Sequence, residues 1–319
     1  MATIMDVKDV KKVVIIGAGI MGHSIAQVFA QSGIEVALVD VKEDLLERAI
    51  RLMKANLNTL SDNNMIRCED IPVILGRVHP TTNLADACKD ADFALEAVVE
   101  IPDVKKEIFA QLGRYCGEDT VLASNTSSLD IFTIAGELKR RERMVVTHWF
   151  APPHIIPLVE VVPGPETAPA VLNFAARLME RLGKRPVVMK MFTPSFIVNR
   201  IQQYIGMAVL EIITKGWATP EDVDLAVKTS LGVRLPVVGV VQTLDFTGLD
   251  LVAQVLTGSL GQVPPFIADL VEKGHLGAKT SKGIYDYGGR TEEEILRKRD
   301  GLYLATLAQL EKMNAFDPI

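Results

Sequence analysis

Cysteine is scarce. The chain has three in 319 residues, Cys68, Cys88 and Cys116, an odd number without the paired spacing of metal ligands. That pattern argues against a disulfide framework and a zinc site, so no metal is expected and a reducing, cytoplasmic setting fits best. Basic residues are not in excess either. Lys and Arg number 34 against 40 Asp and Glu, a net charge of −6, which leaves no electrostatic footprint for nucleic acid or anionic lipid. No apolar run approaches the ~18–20 residues needed to span a bilayer, and Asp6, Lys8, Asp9 and Lys11 interrupt the stretch where a signal peptide would need its apolar core. Internal repeats and low-complexity tracts are missing as well. With 48% hydrophobic and 23% charged residues the composition is that of a globular protein, and the length calls for two domains.

What the chain does have is a run of β-branched residues, Val13-Val14-Ile15-Ile16, that breaks into Gly17-Ala18-Gly19-Ile20-Met21-Gly22. An amphipathic segment (Ile20, Ile25, Val28, Phe29) begins at once, which reads as strand, tight turn and helix. Gly17 permits the turn, Gly19 lets backbone amides approach a pyrophosphate, and Gly22 lets the helix pack on the strand, its positive N-terminal end toward the ligand. A second strand, Glu35–Val39, ends in Asp40. A carboxylate there accepts both ribose hydroxyls and repels a 2′-phosphate, so NAD is expected rather than NADP. Lys42 pulls the other way.

Further on, helical periodicity covers Glu43–Leu60, and a second short helix runs from Glu69 to Leu75. The pair exceeds a plain crossover and is either an arm over the site or a scaffold hairpin. Arg77–Thr81 reads as a strand, Ala91–Val99 as a buried one, Pro102–Tyr115 as a helix and Thr120–Ala123 as the next strand. The alternation predicts a parallel, doubly wound α/β sheet of the Rossmann type. The strands Met144–Thr147 and Leu158–Val162, a helix over Ala168–Leu182 and a strand over Arg185–Met189 complete a dinucleotide-binding domain of residues 1–190. Helical patterns then dominate, with Ser195–Lys215 and Pro220–Thr229 first. A glycine-rich segment, Gly274 to Gly289, precedes a charged helix from Thr291. Residues 191–319 are expected to form an all-helical domain.

Oxidation of an alcohol needs a hydride acceptor and a base for the hydroxyl proton. His148 stands at a strand end on the ligand side of the sheet, and imidazole suits the base role near neutrality. Glu160, on the next strand, is placed to bond the far ring nitrogen and orient the base. Ser127, in the polar stretch Ser124-Asn125-Thr126-Ser127-Ser128, can bond the substrate oxygen.

These stretches resemble the 3-hydroxyacyl-CoA dehydrogenases over essentially the whole chain. The likeness rests on Gly17–Gly22, Glu96-Ala97-Val98-Val99-Glu100, Ser124–Leu129, His148 with Leu158-Val159-Glu160-Val161, Phe196-Ile197-Val198-Asn199-Arg200, and Lys279-Thr280-Ser281-Lys282-Gly283. The resemblance implies His148 as base, Glu160 as its partner, and Ser127 and Asn199 as holders of the 3-oxygen. It also implies NAD contacts from the glycine turn with Ile20 and Met21, and from Asp40, Ala97, Glu100, Lys105, Asn125 and Lys279. A helical domain that forms a homodimer and a small-molecule acyl-CoA substrate follow from the same likeness.

One departure bears on substrate. The family usually reads His-Phe-Phe-Asn-Pro where this chain has His148-Trp149-Phe150-Ala151-Pro152. The loop through Pro157 more closely resembles relatives acting on small hydroxy acids or hydroxymethyl aromatic acids, such as a gulonate dehydrogenase. Three functions therefore stand side by side: a 3-hydroxyacyl-CoA dehydrogenase, the same chemistry on a free carboxylate, and a non-catalytic NAD-binding structural protein.

Overall fold

The computed structural model describes residues 5–317; the outermost residues of the two expected domains, 1–4 and 318–319, lie outside it. The chain divides into two compact units between Tyr204 and Ile205. The first unit alternates strand and helix: β1 (Lys12–Ile16), α1 (Gly22–Gln31), β2 (Glu35–Val39), α2 (Glu43–Asp62), α3 (Ile71–Gly76), β3 (Val78–Thr81), α4 (Leu84–Cys88), β4 (Phe93–Glu96), α5 (Pro102–Tyr115), β5 (Val121–Ser124), α6 (Ile131–Ile134), β6 (Met144–Trp149), β7 (Leu158–Pro163), α7 (Pro169–Arg181) and β8 (Arg185–Val188).

The eight strands form one sheet in the order β3-β2-β1-β4-β5-β6-β7-β8. The first half runs outward from β1 in both directions, so the expected doubly wound sheet is present. Strands β1 to β6 are mutually parallel, but β7 pairs antiparallel with β6, and β8 follows β7 in parallel. The reversal has a simple cause. A parallel return needs a crossover of a dozen or more residues, and only residues 150–157 separate β6 from β7.

Val13 to Ile16 are all buried because helices cover both faces of the sheet. Val13 and Ile15 pack with Ile25 and Phe29 of α1, Met53 of α2 and Phe174 of α7. Val14 and Ile16 pack with Cys88 of α4, Phe109 of α5 and Ile131 of α6. The helical segment expected from Ser195 starts later, as α8 (Val198–Thr214). Ser195 and Phe196 adopt positive φ, 65° and 49°, which no helix accommodates.

The second unit contains the rest of α8, then α9 (Pro220–Ala226), α10 (Gly232–Thr247), α11 (Leu249–Leu260), α12 (Pro265–Glu272) and α13 (Glu292–Lys312). Thr291 caps α13 by accepting from the Glu294 amide. The glycine-rich segment wraps a buried carboxylate: Asp245 accepts from the amides of Ile284 and Tyr285 at 2.8 and 2.9 Å and from the Tyr287 hydroxyl at 3.1 Å. Among the described residues no single helix is long and apolar enough to cross a membrane.

Candidate active site

The C-terminal ends of β1 to β6 share one edge of the sheet, and the residues singled out in the first unit collect there. At the end of β1 the glycine turn is tight. Gly17 has φ +102°, and a Cβ on it would stand 2.5 Å from the Ala97 carbonyl oxygen; a Cβ on Gly22 would stand 1.7 Å from the Gly17 oxygen. Both glycines are therefore required by the fold itself. Gly19 is different, because a Cβ there would meet no protein atom within 4 Å. The open cradle over Gly19 fits a bound pyrophosphate at the start of α1.

Asp40 follows β2 and turns back to the same place, its Oδ2 accepting from the Ala18 amide at 2.6 Å and its Oδ1 from Val41 at 2.7 Å. Ile20, Val41 and Val99 follow the neighbouring strands β1, β2 and β4, and all three side chains are exposed, Ile20 at 73%. Apolar surface beside a carboxylate and a ring of backbone amides matches the adenine, ribose and phosphate of a dinucleotide. Met21 is half-buried beside them. Ala97 donates to the Ile16 carbonyl at 2.7 Å, which brings β4 hard against the turn.

The ends of β4 and β5 are joined by a polar cluster. Glu100 Oε1 accepts from Thr126 Oγ1 at 2.5 Å and from the Ser127 amide at 2.8 Å. Burial alone would raise this carboxyl, but the Thr126 hydroxyl, the Lys105 ammonium and the Ser127 amide outweigh it and hold Glu100 below the ordinary carboxylate range. Lys105, on α5, is turned inward and fully buried. Its Nζ lies 2.6 Å from Glu96 Oε1 and 3.1 Å from Glu100 Oε2, so in this structure it braces the strand ends rather than facing the cleft. Glu96 also accepts from Ser124 Oγ at 2.6 Å and from the Val98 amide at 2.8 Å. Sequence reasoning assigned Glu96 no role; an acid inside the apolar run Phe93–Ala97 was the signal available. Asn125 accepts from the Trp149 amide at 2.8 Å, and Ser127 is exposed at the cluster's rim.

His148 and Glu160 face each other in the antiparallel register of β6 and β7. His148 Nδ1 and Glu160 Oε2 are 2.8 Å apart, with the residues 3% and 1% exposed. The second carboxylate oxygen is engaged too: Glu160 Oε1 accepts from the amides of Ile197 and Val198 at 3.1 and 3.0 Å. These amides open α8, where the backbone's first orphan donors need an acceptor. Asn199 is the next residue, half-buried in that first turn. Burial would raise the Glu160 carboxyl, but His148 and the two amides hold it below the ordinary carboxylate range. Aromatic rings flank the imidazole, Phe150 at 4.5 Å and Phe196 at 5.2 Å between centroids. A dry imidazole with one nitrogen tied to a carboxylate is equipped to take a proton at the other. Lys279 belongs to the second unit, in the turn Ala278–Thr280, and its ammonium lies 2.6 Å from both oxygens of Asp250.

Comparison with known proteins gives a consistent result. Residues 12–192 match the family model for the 3-hydroxyacyl-CoA dehydrogenase NAD binding domain, and residues 196–287 match that for the 3-hydroxyacyl-CoA dehydrogenase C-terminal domain. The chain is 32% identical over 308 residues to a 5-formyl-3-hydroxy-2-methylpyridine 4-carboxylate 5-dehydrogenase of Mesorhizobium japonicum, covering 95% of this chain and 99% of the relative. It is 35% identical over 291 residues to the mitochondrial hydroxyacyl-coenzyme A dehydrogenase of Homo sapiens, covering 87% and 91%. The crystal structure of a 3-hydroxyacyl-CoA dehydrogenase from Archaeoglobus fulgidus superposes with a TM-score of 0.77 at 31% identity, over 96% of this chain and 100% of that one.

Proposed function

The chain belongs to the 3-hydroxyacyl-CoA dehydrogenase family of NAD-dependent oxidoreductases, and we propose that it interconverts L-3-hydroxyacyl-CoA and 3-ketoacyl-CoA with His148 as the general base. The observation that carries the reading is the doubly held Glu160, one oxygen on His148 Nδ1 and the other on two backbone amides. A carboxylate fixed in this way keeps the imidazole proton on Nδ1 and leaves Nε2 to accept the substrate's hydroxyl proton. The imidazolium that results is stabilised by the same carboxylate. NAD, when bound, supplies the hydride acceptor. Gly17, Gly19, Gly22 and Asp40 hold its adenosine diphosphate end, and Glu100 with Lys105 and Thr126 sets the loop that presents Asn125 and Ser127. Ser127 and Asn199 hold the substrate's 3-oxygen.

A second reading has its own support. The Mesorhizobium relative, matched over almost its full length, is named for a pyridine carboxylate rather than a thioester, and Ala151 stands here where an amide is usual in the family. In that reading the proton and hydride chemistry is unchanged and the substrate is a free hydroxy acid. NADH formation across a panel of 3-hydroxyacyl-CoA thioesters and free hydroxy acids decides between them. A kcat/KM higher for thioesters supports the first reading, and higher for free acids the second. No turnover with either would overturn both and point to a non-catalytic NAD-binding protein.

A further inference from the structure

The turn that joins β6 to β7, residues 150–157, is held from two sides by groups that a hairpin does not need. Lys184, between α7 and β8, is 8% exposed. Its ammonium donates to the carbonyl of Pro153 and, at 2.9 Å, to that of Ile156, and it stands 5.4 Å from the centroid of the Trp149 ring. Among the described residues no carboxylate pairs with it. On the other side is Ser24, buried in the first turn of α1. Ser24 Oγ accepts from the His154 amide at 3.3 Å and lies 2.7 Å from His154 Nδ1. With one proton and two lone pairs, the hydroxyl holds the amide and still pairs with Nδ1 in either ring tautomer.

The span of this tie matters. β1 and β6 are separated in the sheet by β4 and β5, roughly 14 Å at ~4.8 Å per strand. Ser24 lies two residues past Gly22, so one short hydrogen bond joins the dinucleotide turn to the hairpin that carries His148 and Glu160. Phe150 begins the same turn, and its ring packs on the imidazole. A buried ammonium with no counter-ion opposes folding, and an apolar side chain at position 184 could cover Trp149 equally well. Cover alone therefore does not account for a lysine here.

We infer that Lys184, with Ser24 and His154, is a positioning latch that fixes the β6–β7 turn relative to the dinucleotide turn, so that base and hydride acceptor meet the substrate in register. The inference rests on His148 being the base. Among the described residues, the charged groups that act on the latch's imidazoles are basic: Lys184 and His23, on α1, act on His154, and Arg48, on α2, acts on His23. Burial lowers both imidazoles, His154 further through His23 and Lys184, and His23 further through Arg48 against the pull of the Gly19 carbonyl. Burial also pushes Lys184 down to about 8. Above that pH the amine keeps two N–H donors but loses the charge that strengthens them and draws it to the Trp149 face.

The test is the pH dependence of alcohol oxidation by the full-length protein at saturating NAD, between pH 6 and 9.5, for the wild type, Lys184→Met and Lys184→Arg. The wild type should lose rate through an alkaline limb near pH 8. Lys184→Met should lower kcat about 10-fold at pH 7, as expected for a small misplacement of reacting groups, should lack the limb, and should change the KM for NAD less than about twofold. Lys184→Arg, whose guanidinium stays charged throughout, should recover most of kcat and extend the plateau past pH 9. A wild-type profile that is flat on the alkaline side, or an alkaline limb retained in Lys184→Arg, overturns the latch. So does a Lys184→Met enzyme with normal kcat; should that variant be insoluble, the other two profiles decide. His148→Asn separates the two ideas, because turnover retained there removes the base assignment, whereas an inactive His148→Asn beside indifferent Lys184 variants removes only the latch.

Discussion

Glu160→Gln isolates the carboxylate, since the side chain keeps its shape and loses its charge and one acceptor. In the folded protein three donors converge on Glu160: His148 Nδ1 at 2.8 Å and the amides of Ile197 and Val198 at 3.1 and 3.0 Å. Glutamine has one oxygen for them. If that oxygen stays on the amides, its NH2 confronts Nδ1 and drives the imidazole proton onto Nε2, where the substrate's proton must be received. If it turns to His148, the NH2 faces two N–H groups in a site 1% exposed, at a cost of ~1–3 kcal/mol. A hydrogen bond to a charged partner contributes ~1.5–3 kcal/mol, or about 10- to 150-fold in rate at ~1.36 kcal/mol per decade. The wrong tautomer adds to this, so kcat should fall by about 10²-fold or more, with the KM for NAD little changed. Steady-state NADH formation measures it. His148→Asn should be at least as damaging, and the double variant little worse, because residues that act as a unit are not additive. Additive losses, or normal turnover in Glu160→Gln, would refute the pair. The same carboxyl links to stability. Its folded value lies below its ordinary 4.5, so its contribution is complete above that pH and is lost as pH falls through the lower folded value. Glu160→Gln should therefore lower Tm near neutrality and flatten the decline of Tm below about pH 4.5.

Three shorter predictions follow from the rest of the site. Asp40 at the end of β2 should give a kcat/KM for NAD about 10²-fold above that for NADP, since a 2′-phosphate would meet a like charge; equal values would mean that Lys42 dominates. Gly19→Ala should leave Tm within about 2 °C while weakening NAD binding about 10-fold or more, whereas Gly22→Ala, with its 1.7 Å clash, should lower Tm by about 5 °C or more. Equal Tm losses in the two would show that Gly19 is needed by the fold and not by the cofactor. Finally, α8 leaves Tyr204, Ile205, Met207 and Leu210 exposed, and the full-length protein should be a homodimer by light scattering at micromolar concentration; a monomer mass would contradict this.

Periodicity and turn chemistry act over a few residues, and whatever depends on them was legible in the chain. The glycine turn after Val13–Ile16, the carboxylate closing β2, the helix from Pro102 to Tyr115 and the helical character beyond Lys190 belong to this class. His148 and Glu160 were legible as a pair because a short connection between two strands forces a hairpin, and a hairpin brings residues twelve apart face to face. Tertiary structure decided what joins residues far apart in sequence. Ser195 and Phe196 take left-handed φ, with Phe196 buried in the core beside the sheet, and α8 starts after them, where its first amides reach Glu160, 37 and 38 residues away. Tertiary structure turned Lys105 inward onto Glu96, nine residues away at the end of β4. It brought Ser24 to His154 across 130 positions. Such pairings have no local signature, because either partner alone is an ordinary polar residue, and only the three-dimensional exclusion of water makes each depend on the other.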